Sequence, residues 1–317
     1  MWTLSEVDTT LEGEKASEHR MLNSPIKWVG GKSRLRKRII ELLPPHTCYV
    51  EVFGGAAWVL FGKPPSDVEV LNDIDQELIN FFRVVKEKPE ELIKSFEWEL
   101  VSRGEYERLA SLAPEQLTDV QRAHRFYYLI MAGWGGELHY PRFQTSISDG
   151  GHGNRLIGAL DTLENRLKPI HDRLHTVIIE NLDWRECIDR YDRLGTVLYL
   201  DPPYPDNPCN YAHNMRGWDE HKELAARLHK TKCKWILSSY DIKEIRELYP
   251  DDSIVSVESS SGMSPSKDSD SRTLNKEVLV TNFAPPKKSH QLTLEKATGV
   301  STKQKRLHPA RRKHVRP

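Results

Sequence analysis

Residues 196–204 read T-V-L-Y-L-D-P-P-Y, an apolar run that ends in an acid, two prolines and an aromatic ring. A short apolar run bounded by turn residues is typical of a buried strand, here predicted over 196–200. In a parallel sheet the acid, Asp201, lies at the carboxyl end of that strand, where open α/β sheets bind ligands. The stretch therefore predicts an α/β fold and the position of a functional site.

Further short apolar runs predict the remaining strands, and helical patterns follow several of them. The predicted strands cover 48–53, 68–71, 176–179, 234–238, 253–257 and 277–281. The predicted helices cover 76–86, 184–191, 219–230 and 242–248. Such alternation predicts a largely parallel sheet covered by helices.

Between about Glu87 and Arg173 the alternation stops, and helical patterns flank a Gly-rich loop. We expect a helical insertion over 87–173, with helices at 89–112, 114–132 and 155–167, inside a core formed by 21–86 and 174–284. Residues 1–20 are polar and are expected to form a disordered lead-in. The Ser- and Asp-rich segment 259–271 predicts a mobile loop between the last two strands.

The chain has 317 residues, and its 46 basic and 46 acidic side chains give a formal net charge of zero. Four cysteines without a C-x-x-C pair, no signal peptide and no apolar run of about 18 residues predict a soluble, cytoplasmic protein with no membrane anchor. The 13 histidines show no metal-ligand spacing, so we expect no metal. We place His221 and His229 on a solvated helix face.

The candidate catalytic residues are Asp201, Pro202, Pro203 and Tyr204. The prolines stiffen the turn and present carbonyls without an N–H of their own, and Tyr204 offers a flat face. An aromatic amine delocalises its lone pair into the ring, so its nitrogen needs acceptors such as the Asp201 carboxylate before it attacks a methyl sulfonium. The alternative is a structural turn in which the Asp caps a helix.

A second set combines E-V-F-G-G-A-A at 51–57 with Asp73. Small residues after a strand, here Gly54 and Gly55, let a ligand approach the backbone at a helix N-terminus. Asp73 follows the next strand, about where an acid holds ribose hydroxyls in nucleoside-binding α/β folds. Read alone, the pair is as typical of a tight turn followed by a helix cap.

A third set, K-W-V-G-G-K at 27–32, precedes the first predicted strand. A Gly-Gly turn with Trp and Lys side chains can close over a cofactor, with Lys32 meeting a carboxylate. The candidate contacts are Trp28, Gly30, Gly31 and Lys32. The spacing is not that of a phosphate-binding Walker loop, and a packed N-terminal loop is the alternative.

Together, and in this order along the chain, the three sets resemble the D12 class of N6-adenine DNA methyltransferases, the Dam-like family, over about 26–283. The resemblance implies a Rossmann-like class I methyltransferase fold, whose mostly parallel sheet has an antiparallel last strand. It also implies that S-adenosylmethionine is the cofactor, with Asp73 on the ribose. The other implied contacts in these three sets are Trp28, Gly30, Gly31, Lys32, Glu51, Phe53, Gly54, Gly55 and Asp201.

The same resemblance implies roles for two further groups. Asp183 and Trp184 match the family's acidic and aromatic pair beside the cofactor's adenine, although a helix cap with a packed Trp is equally compatible. Residues 201–204 match the catalytic motif, in which Tyr204 stacks on the target base. The target is then an adenine flipped out of duplex DNA.

The insertion differs from that of Dam, so the recognised DNA sequence does not carry over. Arginines read guanine edges and mobile aromatic loops wedge into the base stack, so the candidate DNA contacts are Arg122, Arg125, Trp134, His139, Tyr140, Arg142 and Phe143. Surface charge alone is the alternative.

We expect a monomer that binds double-stranded DNA, with a cognate restriction endonuclease as an optional partner. Methylation of an RNA base and a catalytically idle DNA-binding regulator are the rival functions.

Residues 285–317 hold ten Lys and Arg against one acid and are expected to form a disordered basic tail. Attraction to DNA phosphates and plain solubilisation are equally compatible with this composition. If the tail neutralises about six phosphates, log affinity for DNA falls with log salt concentration with a slope of roughly −5. Deleting 286–317 then flattens this slope in a fluorescence anisotropy titration, and an unchanged slope contradicts the phosphate role.

Overall fold

The computed structural model describes residues 21–133, 142–144, 154–204, 215, 217–260 and 274–286. Within them the chain forms a seven-stranded sheet. The strands are β1 (Cys48–Glu51), β2 (Val68–Asn72), β3 (Ile178–Glu180), β4 (Thr196–Leu200), β5 (Lys234–Tyr240), β6 (Ser253–Ser260) and β7 (Leu274–Thr281).

The strands lie in the order β3-β2-β1-β4-β5-β7-β6. Neighbouring strands from β3 to β5 are parallel, whereas β7 runs antiparallel between β5 and β6. The chain builds outward from β1 to β3 and then returns to the other side of β1 with β4. The reversal is a topological switch point, where open α/β sheets bind ligands. The predicted mostly parallel sheet with an antiparallel last strand is confirmed.

The centre of the sheet is buried on both faces. Val50 of β1 lies opposite Val70 of β2 on one side and Leu198 of β4 on the other. All five residues of β4 are buried, as a continuous apolar run in a parallel sheet predicts.

Helices cover the sheet and fill the insertion. They are α1 (Arg36–Leu42), α2 (Trp58–Gly62), α3 (Gln76–Glu87), α4 (Pro89–Ser95), α5 (Arg103–Ser111), α6 (Asp119–Ala132), α7 (Arg155–Leu160), α8 (Leu163–Leu174), α9 (Trp184–Tyr191), α10 (Trp218–Leu228) and α11 (Lys243–Leu248). In the part of the chain that the structure describes, none is long and apolar enough to span a membrane.

The insertion helices are shorter than the sequence predicts, because N-terminal side-chain caps begin new helices within the predicted ranges. Ser102 accepts a hydrogen bond from Glu105 N–H at 3.0 Å, so α5 begins there and the predicted helix 89–112 is divided. Thr118 and Gln121 form a capping box that starts α6 after a short 3₁₀ turn. Such caps satisfy the first N–H groups of a helix locally.

The insertion shares the hydrophobic core of the sheet domain. Phe126 and Tyr127 of α6 pack against Phe81 of α3, with ring centroids 5.5 and 5.8 Å apart. The ring of Phe126 also lies 6.3 Å from that of Trp28. The described residues up to Pro285 form one compact unit, and the separate domain limits at 87–173 stay a prediction.

One histidine was placed wrongly by the sequence pattern. His221 is buried on the inner face of α10, with Trp218 at a ring distance of 5.9 Å. Its neighbours on that face are Leu224 and Leu228, so the helix turns it toward the core rather than toward solvent. His229 is more exposed and contacts Asp252 at 2.7 Å.

Three buried charges join β2 to the end of α8. Glu69 accepts hydrogen bonds from Lys63 Nζ at 2.5 Å and from Arg173 Nη2 at 2.7 Å. Arg173 Nη2 also donates to Leu60 O at 3.0 Å. Burial raises the pKa of Glu69, but the hydrogen bonds from Arg173 and Lys63 outweigh it and hold the pKa below its usual value. Since an unpaired buried charge is costly, each member depends on the others.

The change Glu69→Ala leaves two buried cations without their counter-ion, so we expect the free energy of unfolding to fall by about 3–5 kcal/mol. As a matched control, Glu164→Ala removes the acid of an exposed pair with Lys168 on α8 and costs under about 0.5 kcal/mol. Urea unfolding followed by circular dichroism near neutral pH measures both. Equal losses in the two variants contradict the role of the buried triad.

Candidate active site

Four loops meet at one edge of the sheet because they follow neighbouring parallel strands. Phe53 follows β1, Asp73 follows β2, Asp183 follows β3 and Asp201 follows β4. These strands are adjacent in the sheet, and the carboxyl ends of parallel strands point the same way. The structure therefore brings these four predicted site residues to one edge.

The loop after β1 is fastened to the end of β2. Gly54 N–H donates to Asn72 O at 2.8 Å, and Gly55 N–H donates to Asp73 Oδ2 at 2.8 Å. Gly55 has a φ of 47°, and a Cβ there would lie 3.0 Å from Trp28 Cδ1. A side chain at position 55 is therefore strained and displaces the indole. Asp73, predicted to hold a ribose, also fixes this loop.

The Trp28 turn brings Lys32 to the same edge. Gly31 N–H donates to Trp28 O at 3.1 Å, and Gly30 closes the turn with a φ of 73°. A Cβ at Gly31 would lie only 2.8 Å from Trp58 Nε1. One glycine is thus needed for its backbone conformation and the other for close packing.

Lys32 lies between two carboxylates and an aromatic ring. Its Nζ is 2.8 Å from Asp201 Oδ1 and 3.8 Å from Glu277 Oε2, and it donates to Gly30 O at 3.0 Å. The same atom lies 4.7 Å from the centre of the Tyr204 ring. We call Lys32, Asp201, Tyr204 and Glu277 the lysine cluster. The carboxylate that Lys32 contacts most closely is that of Asp201, and the predicted contact of Lys32 with a cofactor stays a prediction.

Tyr204 is anchored at both its hydroxyl and its ring. The hydroxyl donates to Glu277 Oε2 at 2.9 Å, and the ring meets Tyr240 edge-on with centroids 4.5 Å apart. Pro202 is buried and Pro203 half-buried, so the whole turn is packed. Because Lys32 lies over the ring, a base that stacks on Tyr204 must lie beside the lysine or displace it.

The charge of Asp201 depends on Lys32. Burial raises the pKa of the Asp201 carboxyl, and the nearby ammonium of Lys32 opposes this rise. Glu277 adds to the upward shift because its negative charge disfavours a second one. The Asp201 side chain is 19% exposed, so a ligand can still reach it.

Glu51, the last residue of β1, is fully buried. Its Oε1 accepts hydrogen bonds from Tyr49 OH at 2.9 Å and from Leu60 N–H at 2.7 Å. Burial raises the pKa of Glu51 to about 8 in spite of these hydrogen bonds. Glu51 is therefore largely protonated at neutral pH and joins β1 to α2. Its contact with a cofactor stays a prediction.

Asp183 and Trp184 adopt the helix-cap arrangement. Asp183 accepts Arg185 N–H at 2.8 Å at the start of α9, and Trp184 packs in the core. The Arg185 guanidinium lies 4.3 Å from the Trp184 ring. The Asp183 side chain is 47% exposed, so its predicted contact with a cofactor is compatible with capping.

Two residues at the site carry no motif. Asn72 ties together the loops after β1 and β3, donating to Val52 O at 2.9 Å and accepting from Leu182 N–H at 2.9 Å. Glu277 contacts Tyr204 across 73 residues of sequence. Neither has a local signal that singles it out, because other polar residues occur in the same strands, such as Glu69 in β2 and Lys276 in β7.

Arg122 and Arg125 hold helices together. Arg122 Nε donates to Glu77 Oε1 of α3 at 3.1 Å, and Arg125 Nε donates to Leu109 O at the end of α5 at 2.8 Å. Both side chains thus have partners within the protein. Their contacts with DNA stay predictions.

Backbone and side-chain hydrogen bonds join three described segments of the insertion at the end of α6. Gly133 forms an antiparallel bridge with Phe143, and Gln144 N–H donates to Ala132 O at 2.9 Å. Asn154 Nδ2 donates to Ala132 O at 3.1 Å and to Gln144 O at 2.6 Å. Three points of the chain therefore meet at the end of α6.

The remaining predicted DNA contacts lie at or beyond this junction. Arg142 is exposed, and the Phe143 ring packs on Tyr106 with centroids 5.6 Å apart. Outside the described residues lie Trp134, His139 and Tyr140. For all five the DNA contact stays a prediction.

The edge has the donor set of a cationic nucleoside site. Carboxylates at Asp73, Asp183 and Asp201 can bind hydroxyls or a positive charge, and the backbone at Gly55 lies against the Trp28 indole with no side chain between them. These residues fit a nucleoside that carries a sulfonium. Among the described residues no group of three or more His, Cys, Asp or Glu side chains could hold a metal ion.

Comparison with known proteins identifies similar sequences. The sequence model of the D12 class N6 adenine-specific DNA methyltransferases matches residues 28–263. Type II methyltransferase M.CviBI of Paramecium bursaria Chlorella virus NC1A is 28% identical over 71% of this chain and 85% of its own. Type II methyltransferase M1.LlaDCHI of Lactococcus lactis subsp. cremoris is 25% identical over 81% and 94%. DNA adenine methylase of Haemophilus influenzae is 26% identical over 71% and 82%.

The buried Glu51 predicts a pH-dependent stability. Its folded pKa of about 8 lies above the unfolded value of roughly 4.3, so its stabilising contribution is complete below the unfolded value and is lost as pH rises toward 8. Glu51→Gln keeps an acceptor for Tyr49 and Leu60 but does not titrate. Wild type should lose up to about 1.4 kcal/mol per pH unit relative to this variant. Urea unfolding of both proteins across this window measures the difference, and a constant difference contradicts the prediction.

Proposed function

Because the chain belongs to the D12 class of N6 adenine-specific DNA methyltransferases, we propose that it transfers the methyl group of S-adenosylmethionine to N6 of a flipped adenine at a specific site in duplex DNA. The observation that carries this proposal is the lysine cluster, whose Asp201 lies at the switch point of the sheet. The Trp28 turn, the loop after β1 and Asp73 lie along the same edge.

S-adenosylmethionine, when bound, supplies a methyl group on a positively charged sulfur. We assign its contacts to the Trp28 turn, Gly54, Gly55, Asp73 and Asp183. Supporting this assignment, Gly55 brings the loop after β1 against the Trp28 indole without an intervening side chain. Asp73 already binds Gly55 N–H and Asp75 N–H, and carboxylate oxygens have further lone pairs for ribose hydroxyls.

Asp201 is the acceptor for the adenine amine in this proposal. A hydrogen bond to its carboxylate, and a second to a carbonyl of the Pro202-Pro203 turn, localise the lone pair on nitrogen. The carboxylate is only 19% exposed, and a hydrogen bond at a largely desolvated site is stronger than in water. The nitrogen loses one proton to solvent as its new bond forms.

The energies of these contacts are of the size that base flipping requires. Extrusion of an adenine from the duplex costs a few kcal/mol. Stacking on an aromatic ring contributes roughly 1–3 kcal/mol, and a hydrogen bond to a charged group roughly 1.5–3 kcal/mol. Tyr204 and Asp201 together therefore offset the cost of flipping.

The division of labour follows the sequence prediction. We propose that 21–86 and 174–284 carry out methyl transfer and that 87–173 reads the DNA. The exposed Arg142 beside the packed Phe143 supports a DNA contact at the junction of the insertion. The monomeric state, the cytoplasmic location and a cognate endonuclease stay predictions.

Expression in a host that lacks adenine methylation tests the activity. Wild type should place N6-methyladenine at one defined genomic motif, as read by single-molecule sequencing. Asp201→Ala should abolish the modification while leaving affinity for S-adenosylmethionine within about tenfold in calorimetry, a change of about 1.4 kcal/mol at most, since the assigned partner of Asp201 is the adenine amine.

Two outcomes contradict the proposal. Unmodified DNA in the presence of folded wild type that binds S-adenosylmethionine favours an RNA substrate or an idle regulator. A variant Asp201→Ala that retains most of its turnover shows that Asp201 is not the amine acceptor.

A further inference from the structure

Glu277 is an acid that directly precedes the apolar part of β7. In β7 it is followed by Val278, Leu279 and Val280, which are completely buried, and its own side chain is mostly buried. A carboxylate in such a place costs free energy unless it is paired. Packing alone therefore does not explain a glutamate at this position.

The contacts of Glu277 lead to the Asp201–Tyr204 turn. Its Oε2 accepts the Tyr204 hydroxyl at 2.9 Å. In the sheet register Glu277 lies opposite Tyr240 of β5, the residue that meets the Tyr204 ring edge-on. One cross-strand pair thus holds Tyr204 at two points, which fixes the plane of its ring.

Glu277 also shares Lys32 with Asp201. Lys32 Nζ is 2.8 Å from Asp201 and 3.8 Å from Glu277. An amine that donates a hydrogen bond to Asp201 competes with the lysine for that carboxylate. A second carboxylate within reach of the lysine lowers the cost of this exchange, because the ammonium keeps a counter-ion.

We propose that Glu277 is a positioning residue for methyl transfer, which fixes the Tyr204 ring through its hydroxyl and draws Lys32 away from Asp201 when the target amine binds. This inference rests on the proposed function, since it assigns a task within the same site. Glu277 does not touch the reacting atoms and acts through Tyr204 and Lys32.

Two substitutions separate the two tasks. Glu277→Gln retains an acceptor for Tyr204 but loses the charge that attracts Lys32, whereas Glu277→Leu loses both. Glu247→Gln is the matched control, because Glu247 is an exposed acid that pairs with Lys243 on α11. Each variant is prepared as the full chain, and its affinity for S-adenosylmethionine and its unfolding midpoint report that it is folded.

Steady-state methylation of a duplex that contains the mapped site gives the first measurement. We expect kcat to fall about tenfold in Glu277→Gln and about 100-fold in Glu277→Leu, with KM for DNA within about threefold in Glu277→Gln. Glu247→Gln should equal wild type. Wild-type kcat in both Glu277 variants overturns the proposal.

The pH profile of kcat gives a second measurement. Asp201 is faced by Lys32, Tyr204, Glu277, Tyr199 and Glu51, and of these Glu277 raises the pKa of Asp201 by its charge. Removing that charge in Glu277→Gln should move the acid limb of the profile to lower pH. An unmoved limb together with a lowered kcat indicates a purely structural role and overturns the proposal.

A double-mutant cycle tests the route through Tyr204. Tyr204→Phe keeps the ring and removes the hydroxyl, so Glu277→Leu should cost much less kcat in this background than in wild type. Equal costs in the two backgrounds mean that Glu277 does not act through the hydroxyl.

A readout without activity separates failure of this inference from failure of the proposed function. With 3-fluorotyrosine incorporated at position 204, the fluorine resonance should shift and broaden in Glu277→Leu and stay unchanged in Glu247→Gln. If wild type methylates no DNA but the resonance shifts, the proposed function fails and the anchoring of Tyr204 stands. If methylation is intact and the resonance is unchanged, the inference alone fails.

Discussion

The ion pair between Lys32 and Asp201 is the constraint on which the site depends. It joins the turn before α1 to the end of β4, two segments that are far apart in sequence, at an edge where Asp201 and Glu277 bring negative charge into a partly buried space. The charge of Glu277 and burial both raise the pKa of Asp201, and the ammonium of Lys32 opposes this rise. Lys32 therefore holds the Trp28 turn in position and also balances the negative charge of Asp201 and Glu277.

The order of the strands explains how four strands bring their loops together at the candidate active site. β3, β2, β1 and β4 are neighbours and parallel, so each contributes one loop to the same edge. The loops are then cross-linked by polar contacts, notably Asp73 to Gly55 and Asn72 to Leu182. These bonds satisfy polar groups that would otherwise be buried alone, and they fix the loops before any ligand binds.

Sequence reasoning predicted what local chemistry determines. β4 and α9 begin and end where their patterns do, because an apolar run and a helix cap are local signals. The proximity of Lys32 to Asp201 followed from the resemblance of motifs rather than from any local pattern. Glu277 was missed because its partners lie across the sheet, and long-range register leaves no mark in a single strand. The new helix starts after Ser102 and Thr118 were missed, because a cap involves only a few residues and the helical spacing of apolar residues continues across it.

The junction at the end of α6 has an evolutionary consequence. Gly133 is bridged to Phe143, whereas Gln144 N–H and the Asn154 amide both donate to Ala132 O. The segments between these points can change in length or sequence without disturbing α6, because hydrogen bonds already hold their end points. Such an arrangement lets mutations accumulate between the fixed points without a cost to the packing of α6.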